Sequence, residues 1–117
     1  EKLPLDITYV DEVNRVKYYN NSSDRLFPRS PSVIGRSVSK CHPPKSVHVV
    51  EEIIEHFRQG LKNEAKFWLE IKGRFIFIAY YALRDHSGNY RGVLEVTQDV
   101  TDIRQLSGEQ RLLKWND

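Results

Sequence analysis

Residues 64–99 read EAKFWLEIKGRFIFIAYYALRDHSGNYRGVLEVTQD, and this stretch decides the fold. Ala65, Phe67, Leu69 and Ile71 alternate with Glu64, Lys66, Glu70 and Lys72, the period-two signature of a strand with one buried face. Lys72-Gly73 is a tight turn. Residues 74–84 are apolar on both faces, so this run reads as a central strand covered on each side. Asp85-His86-Ser87-Gly88 supplies turn chemistry, with a glycine where a positive φ is wanted. A third run, about 90–99, completes a β-β-β unit.

Upstream, Val47, Val50, Ile54, Phe57 and Leu61 recur at spacings of three and four, one apolar stripe on a helix over about 44–59. Pro44 suits its first turn and Gly60 the position after its end. Farther back, Leu5, Ile7 and Tyr9 alternate with Asp6 and Thr8. A polar turn at Asp11-Glu12-Val13-Asn14 then leads to Val16-Lys17-Tyr18-Tyr19, which predicts a hairpin. Between hairpin and helix, residues 26–44 hold four prolines and Gly35, leaving room only for short helical turns. Downstream, residues 101–115 read as an exiting helix with Ile103, Leu106 and Leu113 on one side, weakened by Gly108 by about 1 kcal/mol relative to alanine. The predicted architecture is α+β: a five-stranded antiparallel sheet with short helices and one long helix on one face, plus an exiting helix.

The chain has 117 residues, 18 basic and 16 acidic, for a net charge of +2. That length suits one domain. The near balance, without a basic run, argues against nucleic acid or an anionic membrane as partner. One cysteine, Cys41, permits no intrachain disulfide and fits a reducing compartment. No apolar run approaches the roughly 20 residues of a membrane span, so a cytoplasmic location is expected. From a start at Glu1 and the absence of methionine, a piece of a longer protein is expected.

Several short motifs, in order, resemble the PAS domain family over about residues 5–104. Ile7-Thr8-Tyr9-Val10-Asp11 followed by Val16-Lys17-Tyr18-Tyr19-Asn20 is similar to its opening hairpin. Val33-Ile34-Gly35-Arg36 resembles the family's Gly-Arg step, and His42-Pro43-Pro44 its entry to the long helix. Leu83-Arg84-Asp85-His86-Ser87-Gly88 resembles the turn before the last strand. Asp99-Val100-Thr101-Asp102 resembles the ending that joins such domains to an output helix. The resemblance implies a PAS domain over 1–104 and a linker or output helix over 105–117. More narrowly, Asp24-Arg25-Leu26-Phe27-Pro28-Arg29-Ser30 and Cys41-His42-Pro43-Pro44-Lys45-Ser46 resemble a bacterial subfamily in which the PAS domain follows a hemerythrin-like helical domain.

PAS domains hold a ligand, where they hold one, between the helices and the inner sheet face. The resemblance places Ile76, Ile78, Tyr80 and Ala82 inward on the fourth strand, Val93, Glu95 and Thr97 on the fifth, and Phe67, Leu69 and Ile71 on the third. Val50 and Ile54 face them from the helix, and Ile34, Val38, Cys41 and His42 complete the candidate pocket from the preceding segment. Glu95 beside Tyr80 and Thr97 would anchor a polar group. A buried carboxylate needs a hydrogen bond or a proton to offset its desolvation. The bland alternative is that these side chains simply fill a core.

Cofactor chemistry narrows from the same residues. Flavin-binding light sensors of the family carry a reactive cysteine three residues after the glycine of the Gly-Arg step. Here that residue is Val38, so flavin is not expected. Haem-binding members use a histidine on the long helix. His48 falls near that place but points away from the apolar stripe, with Glu52 and Glu55. Cys41 and His42 sit before the helix, where they could face the pocket as thiolate or imidazole ligands; the alternative is a loop cysteine and a capping histidine. His48 and His56 lie about 12 Å apart along a helix, too far for one metal. No cofactor is assigned.

Phe75, Phe77, Ala79, Tyr81 and Leu83, with Leu94 and Val96, would form an apolar outer face, too contiguous to leave in water. The exiting helix, a second copy of the domain, or both should cover it. The function implied is a sensory or regulatory domain of a larger bacterial protein, not itself an enzyme. It would be homodimeric, respond to a small molecule, and signal to the other domains of that protein through its flanking helix. A ligand-free dimerisation module is the alternative, and an isomerase using Glu95 as base a more distant one.

Overall fold

The fourth and fifth strands are the longest among the described residues, with 11 and 10 residues. The computed structural model describes residues 4–20, 34–36, 44–113 and 115, with only the backbone given for 44–47. In it β3 (Glu64–Ile71) and β4 (Arg74–Arg84) pair antiparallel along their whole shared length, from Glu64 opposite Tyr81 to Ile71 opposite Arg74. Lys72 (φ 49°) and Gly73 (φ 80°) turn between them in the left-handed region. β5 (Tyr90–Asp99) runs along the other side of β4, with Ile78 opposite Thr97 and Tyr80 opposite Glu95. β1 (Asp6–Asp11) pairs with β5, and β2 (Val16–Tyr19) with β1, giving one antiparallel sheet in the order β2-β1-β5-β4-β3. The chain's first and last strands thus meet in the middle of the sheet.

The β1–β2 hairpin is held by side chains as well as by its ladder. Asp11 Oδ1 accepts hydrogen bonds from the Val13 and Arg15 amides at 3.0 and 2.9 Å, an Asx-type turn. Beyond β2, the Asn20 Oδ1 accepts from the Ile7 amide at 2.7 Å and its Nδ2 donates to the Leu5 carbonyl at 2.8 Å. Asn20 therefore acts as an extra rung beside β1.

α1 (Pro44–Arg58) lies on the inner sheet face. Val50, Ile54 and Phe57 are buried there against Val10, Val16, Ile76, Ile78, Tyr80 and Val93, one continuous core. Burying a side chain of this size contributes about 2–3 kcal/mol. The stripe stops short of its predicted end. Gly60 takes φ 77° and Leu61, past the helix, is exposed. The Phe57 carbonyl, in the last turn of the helix, accepts from the Gly60 amide at 3.1 Å and from Arg84 Nη2 at 2.7 Å.

The exiting helix is also shorter than the sequence pattern predicts. α2 (Thr101–Arg104) is a single turn, and the described residues beyond it are not helical. Gly108 adopts φ 62°. Leu106, Leu112, Leu113 and Trp115 are exposed and bury no face that would stabilise a longer helix. The residues read as short helical turns between β2 and α1 lie largely outside the described ones, which keep there only a turn at 34–36.

Candidate functional site

Strand alternation sorts the side chains of the sheet. Inward lie Ile76, Ile78, Tyr80 and Ala82 of β4, Val93, Glu95 and Thr97 of β5, Ala65, Phe67 and Leu69 of β3, and Asp6, Thr8 and Val10 of β1. Most of these are apolar. The polar ones gather in one place, because Asp6 pairs with Thr97 and Thr8 with Glu95 across the β1–β5 ladder, while Tyr80 pairs with Glu95 across β4–β5. Asp6, Thr8, Tyr80, Glu95 and Thr97 are all buried.

At the centre, the Tyr80 hydroxyl donates to Glu95 Oε2 at 3.2 Å, a hydrogen bond made where Glu95 is only 8% exposed. The Phe67 ring leans on Tyr80, with centroids 5.7 Å apart. A carboxylate in an apolar interior is tolerable only with such partners. The arrangement offers a carboxylate acceptor, a phenol and threonine hydroxyls on a rigid, four-strand platform, which suits hydrogen-bonding recognition of a polar group.

The sequence assigned Ile76, Ile78, Tyr80, Val93, Glu95 and Thr97 to this face, and the structure brings all six together with Val50 and Ile54 above them. Phe67 and Leu69 are half-buried at the β3 margin, and Ile71, at the end of that strand, is exposed. Ile34 is not in the interior: it lies on the 34–36 turn and is 46% exposed, because Gly35 turns the backbone there (φ 85°) and its amide bonds to the Val16 carbonyl at the hairpin's rim. Val38, Cys41 and His42 lie outside the described residues. Asp6 and Thr8 were missed as site residues. The only available signal was the period of β1, which separates Asp6/Thr8/Val10 from Ile7/Tyr9 without saying which set turns inward.

Beside this cluster α1 leaves β3 partly uncovered. A groove of about 330 Å³ opens between them, lined by Glu52, Ile53, His56, Phe57, Lys62, Glu64 and Ala65. His48 is exposed and His56 Nδ1 is engaged with the Glu52 carbonyl at 2.8 Å. Among the described residues no group of three or more His, Cys, Asp or Glu is placed to hold a metal.

The far end of β5 forms a clamp. Asp99 Oδ2 accepts from Arg74 Nε at 2.7 Å, and Oδ1 accepts from the Thr101 amide at 2.9 Å and from its hydroxyl at 2.5 Å. The Thr101 hydroxyl oxygen in turn accepts from the Phe75 amide at 2.9 Å, and the Val100 amide donates to the Phe75 carbonyl at 2.8 Å. Hydrogen bonds from Thr101, then the Arg74 partner, hold the Asp99 carboxyl down at about 2. The Arg104 guanidinium lies 4.1 Å from the Phe75 ring centroid, a cation–π contact. The start of α2 is thereby fastened to both β4 and β5.

On the opposite face, Phe75, Phe77, Tyr81, Leu83, Leu94 and Val96 are half-buried and Ala79 is buried. Trp68, which the sequence reading left off this face, lies opposite Phe77 in the β3–β4 ladder, stacks on it at 6.5 Å between centroids, and is 62% exposed. Ile7 and Tyr9 extend the same face onto β1.

Comparison with known proteins agrees with this geometry. A family model described as PAS domain matches residues 1–101. This chain belongs to the PAS domain family. A crystal structure of a C-terminal domain from Streptococcus mutans is 37% identical, with a TM-score of 0.82, covering 90% of this chain and 82% of that one. A sensory box sensor histidine kinase from Vibrio cholerae shares the fold at 14% identity and a TM-score of 0.67, over 85% of this chain and 83% of that one. So does the PAS domain of Bordetella pertussis BvgS, at 17% identity and 0.65, over 84% and 78%. No curated protein matches the chain. Among the described residues no helix is long and apolar enough to cross a membrane.

Proposed function

We propose that this domain is a sensory and regulatory module of a larger bacterial protein, acting in the cytoplasm and carrying no catalysis of its own. It binds a small molecule with a polar, hydrogen-bonding group on the inner sheet face, as a homodimer, and signals through α2 to the domains that follow. One observation carries this reading. Glu95, which accepts from Tyr80, and Asp99, which accepts from Thr101, sit on the same strand, β5, four residues apart in sequence. A contact made to Glu95 is therefore rigidly connected to the point where the chain leaves the sheet.

The direct contacts of Phe67 with Tyr80 and of Tyr80 with Glu95 favour a second reading, a dimerisation module whose interior is closed by its own side chains. Native mass spectrometry with an absorption spectrum, on protein purified from its own host, separates the two. The sensory reading expects a bound mass above that of the chain, lost in Glu95→Gln. A dimer of bare chain mass, with a melting temperature that no added metabolite moves, would overturn it in favour of the second.

A further inference from the structure

We infer that residues 105–115 of one copy pack across the outer sheet face of the second copy, and reciprocally, so that the dimer is held by exchanged arms. The inference rests on the dimer reading above and specifies what holds that dimer together.

Among the described residues, two apolar surfaces lie uncovered. The first is the outer face around Trp68 and Phe77, with Tyr81, Leu94 and Val96 beside them. The second is the segment after α2, in which Leu106, Leu112, Leu113 and Trp115 are 76, 82, 75 and 79% exposed. These exposures exceed those of isolated surface apolar residues, and four in eleven positions make a patch of their own.

The arm starts at the face it would cover. Arg104 already lies on Phe75, the corner residue of that face, at 4.1 Å. From there the arm does not turn back onto its own sheet. Gly108 bends it in the left-handed region, and Leu106, Leu112, Leu113 and Trp115 stay exposed along it. Face and arm are adjacent but not joined within one copy, so a second copy related by a two-fold axis satisfies both at once.

Reach and area agree. Eleven residues extend up to about 36 Å, more than the roughly 19 Å across five strands. One Trp and three Leu side chains present on the order of 500 Å² of apolar surface. Two arms, each covering as much of the partner's sheet, remove on the order of 2,000 Å², above the roughly 1,200 Å² at which specific interfaces begin.

The test uses the 117-residue chain. Trp68→Cys and Leu113→Cys are made separately in a Cys41→Ser background and mixed in a glutathione redox buffer. Sedimentation equilibrium is run on the wild type and on Leu112→Ser/Leu113→Ser, whose altered positions are exposed and leave the core intact. The inference expects a disulfide between the two singly substituted chains and a dimer at least tenfold weaker in the serine variant. A wild-type dimer with no mixed disulfide and an unweakened serine variant would overturn the arm exchange and leave the dimer reading standing. A wild type monomeric at 100 µM would overturn both. A chain carrying both cysteines that closes on itself as a monomer would show the arm folding on its own sheet, which also overturns the exchange.

Discussion

Gly92 passes so close to Val10 that a Cβ added at position 92 would stand 2.2 Å from the Val10 carbonyl oxygen. Its φ is 140°, and it sits where β5 bulges, with Gly92 opposite Leu83 and Tyr90 opposite Arg84, so that Arg91 is the extra residue. The Val10 carbonyl and the Asp11 Cα, 3.2 Å from the added atom, are backbone and cannot move aside, and the Tyr9 ring would stand 2.9 Å away as well. Gly92→Ala should lower stability by about 2–4 kcal/mol in urea unfolding, with the slope of the transition unchanged. A loss under about 0.5 kcal/mol would show that the β1–β5 contact yields more easily than the geometry requires.

Phe57 and Leu61 share a helical stripe in the sequence but not in the molecule. Phe57 is buried and Leu61 exposed, one on each side of the helix end. Phe57→Ala should cost about 3–5 kcal/mol, and Leu61→Ala less than about 0.5 kcal/mol. Comparable losses at both positions would contradict a helix ending at Arg58.

Tyr80 and Glu95 should couple. A double-mutant cycle with Tyr80→Phe and Glu95→Gln, read by chemical denaturation, should return an interaction of about 0.5–1.5 kcal/mol, the net range for an intramolecular hydrogen bond. Additive losses would mean that the 3.2 Å contact contributes nothing of its own.

The Tyr90 hydroxyl is buried and makes no hydrogen bond among the described residues, beneath an Arg58 guanidinium 5.0 Å from the ring centroid. Burial also pushes its pKa up. Removing an unsatisfied hydroxyl relieves a desolvation penalty, so Tyr90→Phe should leave stability unchanged or raise it by up to about 1 kcal/mol. A clear loss in thermal melts would reveal a partner for that oxygen.

Asp99 sets an acid limit on the junction with α2. Its carboxyl lies at about 2 in the folded chain against an ordinary 3.8. The depressed value favours the folded state above the unfolded pKa, and this contribution disappears as pH falls through the interval from 3.8 to about 2. Wild-type stability should therefore drop across that interval, and Asp99→Asn should flatten part of the drop. Equal slopes in the two proteins would remove the carboxylate from the account.

What the sequence disclosed follows from what local patterns encode. The turns at Gly73 and Gly88, the order of strands around the long helix, and the inward set on β4 and β5 were legible because turn chemistry and period are local. The PAS resemblance then supplied the direction of each face. Asp6 and Thr8 escaped because a period of two names two faces without ranking them, and β1 turns its polar set toward the interior and Ile7 and Tyr9 outward. Trp68 escaped because its neighbours Glu64, Lys66 and Glu70 made that face look solvated. The exiting helix was overextended because a helical pattern forms a helix only where something packs against it. Ile34 depended on where one glycine sends the backbone, which no periodicity records.

The separation of Glu95 from Asp99 along β5 has a consequence for inheritance. On the function proposed above, signal entry and signal exit would share a single rod about 13 Å long, and no chain of intermediate side chains would have to be preserved between them. The residues that choose a stimulus would then be free to diverge while the handle at the rod's end stays the same, and such a part could be moved from one host protein to another without retuning its connection.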